Sequence, residues 1–155
     1  MVELHNSVFS LQLDPEKGSF SILTSNPRLP NIQNARLGMQ YIKDGKFHYA
    51  LGSTWNSVEE GETEKQPTVH GDVETVSLHI PDTGEDITFE LTFGIVQEYP
   101  LVIWKIKVLN EGTTPIQIDK LYLMDIDAQD ETAGITFPEA RKSADLGFYY
   151  NGWQS

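Results

Sequence analysis

From Ile87 to Ile95 the chain reads Ile-Thr-Phe-Glu-Leu-Thr-Phe-Gly-Ile, with a large hydrophobe at every second position. This is the two-residue period of a strand rather than the roughly 3.6-residue period of a helix, so one face packs and the other meets water. A strand with one wet face belongs in an antiparallel sheet. After a break at Tyr99-Pro100, Val102, Trp104, Ile106 and Val108 alternate with Lys105 and Lys107 in the same way, and Val73 to Ile80 does so more weakly.

Turn chemistry punctuates these runs. Lys43-Asp44-Gly45-Lys46 separates Met39-Gln40-Tyr41-Ile42 from Phe47-His48-Tyr49, and Asp-Gly supplies the positive φ values of a tight hairpin. Asp14-Pro15-Glu16-Lys17-Gly18 links a strand ending near Leu13 to one around Phe20 to Leu23, while Pro81 to Asp86 and Asn110 to Thr114 act at longer reach. Between Ile116 and Leu123 the apolar phase slips from even to odd positions, which predicts a β-bulge near Asp119-Lys120. The acidic, unpatterned stretch from Gly52 to Gln66 reads as a long loop. The one helix candidate, Pro138 to Ala144, would make two turns at most. Many short strands, turns between them and almost no helix predict an all-β fold, a two-sheet antiparallel β-sandwich with little helix.

The chain has 155 residues, about one domain, long enough to bury roughly two thirds of its unfolded surface. Eleven basic residues against 23 acidic ones give a formal charge of −12, which repels phosphate backbones and anionic lipid headgroups. Nucleic acid and membrane are therefore poor partners, whereas a neutral sugar is compatible. The absence of cysteine removes disulfides, thiolate nucleophiles and Cys-ligated zinc. Met1 to Asn6 has neither the basic stretch nor the apolar core of a secretory signal, so a cytoplasmic location is expected.

Few motifs suggest chemistry. Asp125, Asp127, Asp130 and Glu131 form an acidic knot in which Asp125 and Asp127 would share a strand face, but the spacing fails the EF-hand template and reads as a solvated strand end. Glu59-Glu60-Gly61-Glu62-Thr63-Glu64 reads as an exposed loop. His5, His48, His70 and His79 have no ligand spacing. No nucleophile elbow, P-loop or dinucleotide fingerprint occurs, so no catalytic residue, metal or cofactor is expected from this chain.

The last ten residues are the most distinctive. Gly147-Phe148-Tyr149-Tyr150-Asn151-Gly152-Trp153-Gln154-Ser155 is aromatic, glycine-punctuated and uncharged, unlike the polar, frayed end of most domains, which predicts that further chain follows. Asn151 to Ser155 resembles the N-G-W-Q-S-W-S signature leading into the catalytic barrel of glycoside hydrolase family 36, the α-galactosidases and raffinose synthases. A looser similarity covers Trp104 to Asp127, a strand, an Asn-Glu-Gly turn and a second strand.

The resemblance implies an N-terminal supersandwich domain at residues 1–145, with 146–155 beginning the junction to a barrel of the same polypeptide. In that family the barrel hydrolyses terminal α-galactosyl residues with retention, by means of two barrel aspartates that map onto no position of this chain. The domain itself would be non-catalytic. It would buttress the barrel and leave room for oligomer contacts, with an α-galactoside bound in the intact enzyme.

Trp55, in Gly52 to Asn56, is the ring that could reach such a site as an exposed stacking face, or could plug the end of the sandwich. Trp153 and Gln154 could order the interdomain junction or touch the sugar. The competing expectation is a self-sufficient carbohydrate-binding or protein-interaction sandwich.

Overall fold

The computed structural model describes residues 1–52, 55, 59–60, 63–82, 86–127 and 129–136, with the backbone alone at 59, 60 and 82. Twelve strands follow one another: β1 (Val2–His5), β2 (Phe9–Asp14), β3 (Ser19–Thr24), β4 (Asn31–Lys43), β5 (Lys46–Ala50), β6 (Glu59–Glu60), β7 (Glu64–Thr68), β8 (Gly71–Asp82), β9 (Ile87–Val96), β10 (Val102–Asn110), β11 (Gln117–Asp125) and β12 (Gly134–Thr136). All pairings are antiparallel. The helix candidate at Pro138–Ala144 and the expected boundary at 145/146 lie outside the described residues.

The strands form two sheets. In the first, ordered β1-β2-β3-β4-β11, the thirteen-residue β4 is the organising element. Each edge of β4 serves two partners in succession, β3 then β5 on one side and β12 then β11 on the other. Seven strands thus make a sheet five strands wide. The β4–β5 hairpin closes through Asp44 and Gly45 at φ 52° and 72°, the paired left-handed conformations that the Asp-Gly dipeptide predicts. The second sheet runs β10-β9-β8, and the short β6 and β7 lie end to end along the far edge of β8.

Alternation places the core. Ala35, Leu37, Met39 and Tyr41 of β4, Leu11 and Leu13 of β2, and Phe20 of β3 point inward against Ile87, Phe89, Leu91, Phe93 and Ile95 of β9 and Val76, Leu78 and Ile80 of β8. Phe20 bridges the layers, its ring 5.7 Å from that of Phe93 and 6.0 Å from that of Trp104. Burial of each valine, leucine, isoleucine, methionine or phenylalanine among them stabilises the fold by about 1.5–3 kcal/mol.

Two expectations about strands meet different outcomes. The predicted bulge is present: Ile118 pairs with Tyr41 and Lys120 with Gln40, so Asp119 is the extra residue and both Ile118 and Leu121 keep the core-side phase. The predicted loop at Gly52–Gln66 instead contains β6 and the start of β7, and Glu59, Glu60 and Glu64 of the acidic run belong to those strands. The reason is positional. β7 is exposed along its whole length and is held by backbone pairing to β8, so neither face needs the apolar alternation by which a strand is recognised.

Candidate functional site

Trp55 is 3% exposed. Its backbone N–H donates to the Pro15 carbonyl at 3.0 Å, tying this residue to the β2–β3 turn, and its ring lies 6.3 Å from Phe93 and nearly parallel to it. Of the two expectations for this ring, an exposed stacking face or a plug in the sandwich, its burial here matches the second, since area of that size gains more from burial in the sandwich than from water contact. Trp153 and Gln154 lie outside the described residues.

The acidic knot is organised around Arg36. The guanidinium stands 3.6 Å from Asp127 and 3.4 Å from Asp130. Asp130 also accepts from the backbone N–H and hydroxyl of Thr132, and those bonds, with a smaller contribution from Arg36, hold its carboxyl below the usual 3.8. Asp127 accepts from the Gln129 N–H at 2.9 Å. These are the duties of a turn that ties the segment before β12 to β4. Among the described residues no group of three or more histidine, aspartate or glutamate side chains is arranged to hold a metal ion, and no helix is long and apolar enough to cross a membrane.

A shallow depression of about 230 Å³ lies between the β1–β2 turn and the end of β3. Its central polar side chain, Asn6, is already engaged: Nδ2 donates to the Val96 and Tyr99 carbonyls, and Oδ1 accepts from the Val8 and Phe9 N–H groups. That closes the β1–β2 turn onto the second sheet and leaves little for a ligand.

The two faces of β11 are the most distinctive surfaces. On its core-side face Ile118, Leu121 and Leu123 continue the inward phase of β4 yet remain 49%, 44% and 49% exposed. β10, at one edge of the second sheet, has an inward row of Val102, Trp104, Ile106 and Val108 that is likewise only half-buried. The second sheet therefore leaves these inward-phased residues of β11 incompletely covered.

The outer face is aromatic. Tyr49 pairs across from Gln40, Phe47 from Ile42 and Tyr122 from Gly38, so the rings of β5 and β11 flank β4 on the solvent side of the sheet. A side chain at position 38 would crowd Tyr122, since a β-carbon there would lie 3.3 Å from Tyr122 Cδ2. The Tyr49 and Tyr122 rings have centroids 6.1 Å apart and planes 21° from parallel. The neighbouring Tyr122 hydroxyl above all, with partial desolvation and the charge of Asp125, holds the Tyr49 phenol above its usual 10.0. This cluster was missed from sequence because its rings come from two strands far apart in the chain, Phe47 and Tyr49 from β5 and Tyr122 from β11. The available signal was an aromatic in the polar phase: Tyr122 between Leu121 and Leu123, and Phe47 and Tyr49 out of step with Ala50.

Comparison with protein-family models, with curated proteins and with solved structures finds no match.

Proposed function

We propose that this chain is the non-catalytic N-terminal domain of an α-galactosidase-like glycoside hydrolase, a cytoplasmic enzyme whose barrel belongs to the same polypeptide. The observation that carries the reading is the uncovered core-side face of β11. Three aliphatic side chains phased to be buried and left about half exposed form a contiguous apolar margin of the kind that marks an interaction surface. A barrel packed against this face of β11 would cover it, which is what buttressing means physically. Asn151 to Ser155, with Trp153 and Gln154, supply the independent sequence support through their resemblance to the segment leading into such a barrel. The charge of −12 and the lack of cysteine fit a partner domain and a neutral galactoside rather than an anionic ligand.

The test is made on the product of the complete reading frame. That product should continue past Ser155 with Trp-Ser, should hydrolyse an aryl α-galactoside, and should be cut more readily between its domains by trypsin when Leu121 and Leu123 are both changed to Asp. The chain ending at Ser155 should be inert in the same assay. A complete product with no α-galactosidase activity, or turnover by the shorter chain alone, overturns the reading.

A further inference from the structure

We infer that the outer face of β4, β5 and β11 is a binding site for a neutral oligosaccharide, with Tyr49 and Tyr122 as the stacking rings. This surface is on the opposite side of the sheet from the apolar margin of β11, and the inference stands without the preceding one.

Four observations lead to it. The first is an open ring face: Tyr49 is 63% and Phe47 is 66% exposed, Gly38 leaves room for the Tyr122 ring against the sheet, and the Tyr49 and Tyr122 centroids are 6.1 Å apart with planes 21° from parallel. The electron-rich face of an aromatic ring complements a polarised C–H group, and one side of a pyranose presents several of these together.

The second is a border of polar groups not otherwise used. Gln40 and Lys120 flank Tyr49 in register, Gln117 lies beside Ile42, and Asp125 lies one step beyond Tyr122. Their side chains make no hydrogen bond or ion pair among the described residues. Two amides, an ammonium and a carboxylate supply both donors and acceptors, which is the requirement for a ligand whose edge is all hydroxyl.

The third is size. At about 200 Å² per aromatic side chain, the exposed parts of these three rings come to about 300 Å². A stable protein interface needs about 800 Å² from each partner. Nor can the patch grow by joining the leucines of β11, because they point to the other side of the sheet. The area suits one or two sugar rings.

The fourth is charge. With a formal charge of −12 the chain disfavours anionic polysaccharides, lipid headgroups and nucleic acid, and mixed charges at the border give no preference for a cation. A neutral sugar meets no such penalty.

The test titrates the chain with melibiose, raffinose, maltotetraose and cellotetraose, followed by calorimetry and by the ring-proton resonances of the tyrosines. At least one sugar is expected to bind saturably in the millimolar range or tighter and to shift the Tyr49 and Tyr122 resonances. Tyr49→Ala and Tyr122→Ala are each expected to weaken binding about tenfold or more, while Tyr99→Ala, at another exposed tyrosine, leaves it unchanged. Far-UV circular dichroism and melting temperature establish that the variants are folded. Tyr49→Phe and Tyr122→Phe keep the ring area and should retain most of the affinity. The inference is overturned if no sugar in the panel binds, if binding survives the double alanine change, or if sedimentation shows this face buried in a dimer that Phe47→Ser dissolves. Hydrolysis of an α-galactoside by the complete gene product is a separate readout and does not depend on this result.

Discussion

Arg36 shows how one cation can set the state of a whole turn. Its two acidic neighbours have different supports, and Asp130, with two bonds from Thr132, has the stronger. Because the carboxyl of Asp130 is held below 3.8 in the folded chain, its contribution to stability is complete above that value and is lost as pH falls through the lowered one. Thr132→Val removes the hydroxyl donor and should move the Asp130 titration up toward 3.8, read from its side-chain carboxyl resonance. Arg36→Gln should move it the same way by less. The same scale decides Gly38. A methyl group there meets the Tyr122 ring at close range, so Gly38→Ala should rotate that ring and alter the Tyr49–Tyr122 coupling, seen as a fall in the Tyr49 phenol titration toward 10.0.

At the scale of the element, β11 and β9 carry the argument. Asp119 is the additional residue of a bulge, and its removal leaves Ile118 opposite Tyr41 and Lys120 opposite Gln40 as consecutive pairs, with the second irregularity of β11, between Tyr122 and Asp125, untouched. A chain lacking Asp119 should therefore fold, with an unchanged far-UV spectrum and a melting temperature within a few degrees of the parent. Deleting Thr92 from β9 has the opposite outcome. It turns half of a central strand inside out, moving Phe93 and Ile95 to the outer face and putting Gly94 and Val96 in their inward places, and should abolish folding. The phase slip of β11 was legible in the sequence because hydrophobes stand on both sides of it. β6 and β7 were not, since an edge strand wet on both faces has no pattern to read, and its existence depends on the free edge of β8. The sequence left Trp55 open between a stacking face and a plug for a related reason: its neighbours in the chain are polar, and the contacts that accompany its burial, to Pro15 and Phe93, come from distant segments.

For the whole molecule, the decisive fact is that two sheets of unequal width are stacked, so equivalent sequence patterns end in different environments. Leu91 and Leu121 both occupy inward positions, yet one is wholly buried and the other 44% exposed. Leu91→Ala should cost about 2–5 kcal/mol in denaturant unfolding of the chain. Leu121→Ala should cost less than about 1 kcal/mol in the same measurement, the mark of a surface position. Sequence alone determined the all-β class, the Asp-Gly hairpin, the bulge and the faces of the principal strands, because a two-residue alternation and turn stereochemistry are local properties of the chain. Only tertiary structure decided which strands share a sheet, that β4 serves two partners on each edge, that Trp55 lies in the core, and that Tyr49 and Tyr122 meet over Gly38. Those outcomes depend on where the edges of one sheet fall relative to the other, and no local pattern encodes that distance.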